Sequence, residues 1–284
     1  MPDDFAHLKD WVGRTQDVDD VIEPEHVANM AATLDLDVSP KAGDPLPPGW
    51  HWIFFNRFAP AREVAADGHA QRGGFLPPVA LPRRMWAGGR LTFPGTLKVG
   101  EPARRHSEIL KVEPKRGRSG DLVFVTVRHS ISGKSGLAQE EEHDIVYRSP
   151  PAPGAAAPPP VSAPSGAPWT KTIKPDPVLL FRYSALTHNG HRIHYDWPYV
   201  TKVEGYKSLI VHGPLTSTLL LELLRHSAPS RRLAKYSFRA MAPLFDTAPF
   251  TVNGRTEPDG TVKLWAAGPA GELAMEATAT LANG

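Results

Sequence analysis

The chain has no cysteine among its 284 residues. Disulfide scaffolds, thiolate nucleophiles, cysteine-ligated zinc and iron–sulfur clusters are therefore excluded. It also lacks a charge bias: 32 Lys and Arg stand against 30 Asp and Glu, a formal net charge of +2. That balance does not suit a nucleic-acid binder or a chain dominated by an acidic tail. Long hydrophobic runs are missing too. The greasiest stretch, residues 209–224, is broken by His212, Pro214 and Glu222, and is too short and too polar to span a bilayer. The N-terminal MPDDFAHLKDWVGR contains no apolar signal core. The expectation is a soluble, cytoplasmic protein without nucleic-acid or membrane partners.

What is present is turn-forming and apolar: 24 Gly, 30 Pro and 41% hydrophobic residues, enough for an ordinary core. The prolines cluster. Residues 149–170, SPPAPGAAAPPPVSAPSGAPWT, carry no charge, eight prolines and six alanines. Such a run reads as an extended linker that does not pack. It divides the chain into residues 1–148 and 171–284.

The halves follow one plan. The first runs RLTF, HSEILKVEPK, a Gly turn, LVFVTVRHSI, a second Gly turn and GLAQEEEHDIVYR; the second runs KYSFRAMAPLF, FTVNGRTEP, a DG turn, TVKLWAAG and GELAMEATATL. Alternation at Val123, Val125 and Val127 marks strands with one buried face. Each half also offers a helix. Val27, Met30, Ala31 and Leu34 follow Pro24 at helical spacing. LTSTLLLELLRH, after Gly213-Pro214, is apolar almost all round and should be buried. An α+β fold of two similar halves, each an antiparallel sheet around a helix, follows.

Chemistry concentrates in FRYSALTHNGHRIHYD, residues 181–196, and in His212-Gly213-Pro214 downstream. Four of the 12 histidines, His188, His191, His194 and His212, fall here. The segment resembles the active-site motif of the MaoC-type (R)-specific enoyl-CoA hydratases, roughly S/T-G-D-x-N-P-I-H. Aligned on the final histidine, Thr187 matches the hydroxyl position and Ile193-His194 the end, while Asn189 stands where the family has its catalytic Asp, His191 its Asn and Arg192 its Pro. His212-Gly213 matches the family's His-Gly pair before the central helix. The stretches RGGFLPPVALPRRMWAGG and GDLVFVTVRHSISG are similar to the double-hot-dog hydratases of C5 dicarboxylyl-CoA thioesters, such as mesaconyl-CoA (3-methylfumaryl-CoA) and itaconyl-CoA.

The resemblance implies a double hot dog, with a degenerate first half that widens the pocket and a catalytic second half. It implies a hydro-lyase that converts such a thioester to citramalyl-CoA, with no cofactor or metal beyond the CoA carried by the substrate; a homodimer is compatible with it. The catalytic set it implies is Asn189, His194 and Gly213, with Thr187, Arg192, Arg84 and His212 toward the substrate. The chemistry is consistent. An imidazole suits the proton transfers of hydration, and a backbone N–H at a helix start suits the thioester oxyanion. Asn189 cannot take a proton, so any second acid–base group lies elsewhere. Arg192 or Arg84 would hold a substrate carboxylate; the other basic clusters, Arg104-Arg105 and residues 115–118, are candidates for CoA phosphates. The readings to set beside this one are a dehydratase, a thioesterase of the same fold, a non-catalytic acyl-CoA binder, and a three-histidine zinc site at His188, His191 and His194.

Overall fold

The computed structural model describes residues 3–37, 39–117, 120–149 and 159–282. In chain order the elements are β1 (Thr15–Val21), α1 (Pro24–Thr33), β2 (Arg83–Thr92), β3 (Pro102–Gly117), β4 (Gly120–Gly133), β5 (Gly136–Arg148), β6 (Trp169–Ile173), α2 (Pro177–Leu186), α3 (Trp197–Lys202), α4 (Gly213–Ser227), β7 (Leu233–Ala240), β8 (Phe250–Thr256), β9 (Val262–Ala267) and β10 (Leu273–Leu281). The strands form one antiparallel sheet in the order β1-β3-β4-β5-β2-β7-β10-β9-β8-β6. Read outward from the β2–β7 seam, where Gly88 faces Arg239 and Thr92 faces Lys235, the two sides repeat strand for strand. The internal repeat is thus real, and the architecture is the double hot dog.

Local pattern becomes packing as expected in the strands. Val123, Val125 and Val127 of β4 are all buried, and with Tyr147 and Ile109 they form a core that the N-terminal Leu8 and the segment around Val79 and Leu81 cover. α4 lies over the second half, with Leu215, Leu219, Leu220, Leu221, Leu223 and Leu224 all buried in the main core.

The helices correct one expectation. α1 is not the central helix of the first half. It follows edge strand β1 as α2 follows edge strand β6, both begin at a proline, and the two pack against each other. The position of α4 is taken in the first half by a single 3-10 turn, Trp50–Ile53. α2 and α3 were absent from the sequence reading; Asp176 and Asp196 cap them by accepting from Leu179 N–H and Tyr199 N–H.

The expected linker is corrected in its second part. Residues 150–158 lie outside the described residues. From there on the chain packs: Val161 C=O accepts from Leu273 N–H at 2.7 Å and Ala163 N–H donates to Gly271 C=O at 2.8 Å. Ala163 and Ala167 lie against Trp265 and Leu273, and β6 already begins at Trp169. A proline-rich run loses few donors when it lies along an edge, so its backbone can still satisfy a neighbouring loop.

Candidate active site

α2 ends at Leu186, and Thr187 closes it by turning its Oγ1 back to Tyr183 C=O at 2.7 Å. The expected substrate role for Thr187 is therefore replaced by a helix-terminal hydrogen bond. His188 takes a left-handed conformation, φ 50°, stacks on Phe58 and bonds Asn56 C=O at 3.2 Å. It points away from His191 and His194, so the three-histidine zinc arrangement does not assemble. Asn189 N–H donates to Ser184 C=O, and its Oδ1 accepts the His191 N–H at 3.0 Å. The amide oxygen shapes the loop, and the amide nitrogen has no partner among the described residues.

His194 is buried in a short 3-10 turn. Its Nδ1 bonds Ile210 C=O at 2.7 Å. A carbonyl only accepts, so Nδ1 carries the hydrogen and Nε2 presents its lone pair. Burial, opposed by that bond and reinforced by His69, holds its pKa at about 4. His212 stacks on it at 3.6 Å, is wholly buried, and bonds Ser184 Oγ at 2.8 Å. His212 thus fixes the plane of the His194 ring rather than reaching a substrate. Burial and the neighbouring imidazoles of His194 and His191 hold it neutral.

Gly213 is the first residue of α4, where a helix leaves N–H groups without internal partners. A side chain there would meet the Trp86 ring at 3.2 Å. Gly213 therefore keeps the helix start open beside Trp86, which also packs on His143 at 5.0 Å and on Phe238 at 4.5 Å.

The two arginines separate. Arg192 pairs with Asp196 at 2.8 Å, donates to Ala66 C=O at 3.0 Å and lies 4.2 Å over the Tyr199 ring. Its guanidinium is spent on the fold, which corrects the expectation that it holds a substrate carboxylate. Arg84, on β2, is partly buried and forms no ion pair among the described residues. Its positive charge depresses the pKa values of His69, His191 and His143. Of the other basic clusters, Arg104 pairs with Asp19 and Arg116 with Asp121, and Arg105 donates to Phe55 C=O.

A hairpin of the first half completes the wall. Gly68 lies directly against Gly190, a contact a Cβ on either would break, and Arg192 N–H donates to Asp67 C=O at 2.9 Å. This places His69 4.2 Å from His191, whose ring lies 5.6 Å from His194. Burial and the other imidazoles push His191 down to about 2. Asp67, His69 and His191 bring potential ligand atoms within 4.8 Å of one another. Asp67 Oδ2 and His69 Nδ1 are already joined to each other by a hydrogen bond. Behind Trp86 lies a second buried polar group: Glu141 bonds His51 at 3.0 Å and Trp52 Nε1 at 3.1 Å. Burial opposes its ionisation, but His51 and the surrounding imidazoles outweigh that and hold it at about 2. A cavity of about 600 Å³ lies elsewhere, at the far end of α4 beside Leu224 and Arg225.

A buried imidazole with a free lone pair, an amide in the same loop and an open helix start fit, on this fold, a hydro-lyase of the double-hot-dog class. The chain belongs to the family described as hydroxyacyl-thioester dehydratase type 2, whose model matches residues 49–246. It is 50% identical over 95% of its length, and 96% of the other's, to mesaconyl-C(4)-CoA hydratase of Chloroflexus aurantiacus. Its fold is similar to that of HtdX of Mycobacterium tuberculosis, with TM-score 0.65 at 20% identity over 94% of this chain and 99% of that one. It is also similar, at TM-score 0.55 and 14% identity over 95% and 96%, to a Mycobacterium tuberculosis protein described as a double hot dog. No helix among the described residues is long and apolar enough to cross a membrane.

Proposed function

We propose that the protein adds water across the double bond of a C5 dicarboxylyl-CoA thioester, mesaconyl-C4-CoA (3-methylfumaryl-CoA) or itaconyl-CoA, to give citramalyl-CoA. The observation that carries this reading is the 50% identity over nearly the whole chain to the Chloroflexus mesaconyl-C(4)-CoA hydratase. The site supports it. The thioester oxygen would lie at the Gly213 N–H, where developing charge meets the start of α4. His194 Nε2 would align and polarise the attacking water, and the Asn189 amide would hold that water or the acyl group by a hydrogen bond. Arg84, with no carboxylate of its own, would take the free carboxylate of the acyl chain. The proposal extends to a cytoplasmic enzyme, monomer or homodimer, needing no cofactor beyond the CoA of its substrate.

The family name favours a second reading, dehydration of a hydroxyacyl thioester. It uses the same groups in reverse, and direction follows from which side is supplied. A panel of enoyl-CoA thioesters, followed by loss of enoyl-thioester absorbance, tests the proposal. Mesaconyl-C4-CoA or itaconyl-CoA should be hydrated with a higher kcat/KM than crotonyl-CoA. Preference for the uncharged crotonyl chain would overturn the substrate assignment.

A further inference from the structure

Hydration moves a proton twice: off water as oxygen joins Cβ, and onto Cα as the enolate collapses. Some group must hold that proton between the two events, and Asn189 cannot. His194 is poorly placed to keep it. Its Nδ1–H rests on a neutral carbonyl, no carboxylate faces it, and burial penalises its charged form. His191 feels the Asp67 charge but has no hydrogen bond to it among the described residues, and burial with the imidazoles of His69 and His194 holds it neutral; His212 is held neutral by burial and the imidazoles of His194 and His191.

One imidazole in this row differs. His69 Nδ1 bonds Asp67 Oδ2 at 3.2 Å, and the same carboxylate accepts the His69 backbone N–H at 3.0 Å. A carboxylate accepts, so Nδ1 carries the hydrogen and Nε2 is the lone-pair nitrogen, with no protein hydrogen-bond partner among the described residues. Both side chains are 20% exposed, so the pair is not sealed in a core. Burial opposes ionisation of Asp67, but its bonds to His69 outweigh that and keep it anionic. Burial keeps His69 below the ordinary imidazole value, with Asp67 pulling the other way. The dyad is neutral at the imidazole when at rest and has a counter-ion waiting when the imidazole takes a proton.

We propose that His69, oriented by Asp67, is the proton-holding group of this active site, supplied by the first half of the chain in place of the carboxylate that Asn189 lacks. The inference rests on the hydratase reading above. Water bonded to His194 Nε2 and His69 Nε2 attacks Cβ. Its O–H bond breaks as O–Cβ forms, and the proton moves to His69 Nε2. The π pair passes through Cα to the thioester oxygen at Gly213. His69 then returns the proton to Cα, and both imidazoles regain their starting state with no co-reactant consumed. The contact of Gly68 with Gly190 holds the hairpin against the catalytic loop for this purpose. Asp67 is here a positioning and charge-stabilising residue.

The test uses the full-length enzyme and the enoyl-CoA that it hydrates fastest. His69→Gln should lower kcat by about 10²–10³ with melting temperature and KM little changed, within the range for loss of an acid–base group. Adding Asn189→Asp to that variant should restore at least about tenfold, because a carboxylate then stands at the family's position. Asp67→Asn keeps the turn-forming oxygen but removes the charge. It should lower the His69 pKa and move the acidic limb of kcat/KM to lower pH. The charged and titratable groups around His69 are Asp67 on its own hairpin, the fixed charges of Arg72 and Arg84, and His191 and His194 across from it. Wild-type turnover by His69→Gln would overturn the proposal. So would loss of kcat and melting temperature together with no rescue, or stoichiometric zinc whose removal abolishes activity. If the wild-type protein hydrates no enoyl-CoA, the hydratase reading itself falls and takes this inference with it, a result distinct from an active enzyme indifferent to His69.

Discussion

Replacing Arg84 by alanine should change which substrate the enzyme prefers more than whether it works. Arg84 sits on β2 beside Tyr147 of β5, partly buried, with no ion pair among the described residues. A free carboxylate on the acyl chain would be its only anion. Removing one partner of such a desolvated pair costs about 2–5 kcal/mol. At about 1.4 kcal/mol per tenfold, kcat/KM for mesaconyl-C4-CoA should fall by roughly 30- to 4,000-fold. Crotonyl-CoA has no such carboxylate and should lose little. A second consequence has a defined sign. The Arg84 charge lowers the pKa of His69 and His191, so its loss should raise them. With crotonyl-CoA the acidic limb of kcat/KM should therefore move to higher pH. The assay is initial rates of absorbance loss on both substrates across pH. Equal losses on both would mean that Arg84 serves the fold or the CoA body, and the carboxylate assignment would be refuted.

His194→Ala should lower kcat by about 10²–10⁴ while leaving CoA-ester binding nearly intact, measured by turnover and by calorimetric titration. Gly68→Ala places a side chain at φ 91° and against Gly190, so activity should fall with the first-half hairpin displaced; unchanged kcat would show that the hairpin is dispensable. Stability should decline in acid. His194 and His143 have folded values of about 4 against 6.5, so below 6.5 the unfolded chain binds protons that the folded one refuses. Stability is full above 6.5 and drains away toward 4, by about 3 kcal/mol for each group at completion, and the melting temperature should follow. Deleting residues 161–164 should also lower the melting temperature, because Val161 hydrogen-bonds the first residue of β10 and Ala163 the turn before it; an unchanged value would restore the unpacked-linker reading.

Much of the fold was legible because its signals are local. Alternation at Val123, Val125 and Val127, and the uniformly apolar α4, needed no distant partner to be read. α2 escaped because Val178 and Phe181 are exposed, which blurs the helical stripe; Asp176-Pro177 was the readable start. α3 is too short for a period to show. The pairing of α1 with α2 is a long-range fact, and composition alone could not reveal that an alanine- and proline-rich strip lies on Trp265. Within the site, Arg192 carried a visible warning: Asp196 stands four residues on, a natural ion-pair partner. His69 had only an Asp-Gly-His turn to announce it. Its meaning comes from His191, which meets it through the packing of the two halves.

The most direct measurement follows where the oxygen goes. Wild-type protein is incubated with mesaconyl-C4-CoA in heavy-oxygen water, and the products are resolved by mass spectrometry. Addition at Cβ, with the oxyanion at Gly213 and water aligned by His194, predicts an intact CoA ester whose acyl chain carries one heavy oxygen as a new hydroxyl. Free CoA together with a heavy oxygen in a released carboxylate would mean attack at the thioester carbon, and the site would be that of a thioesterase.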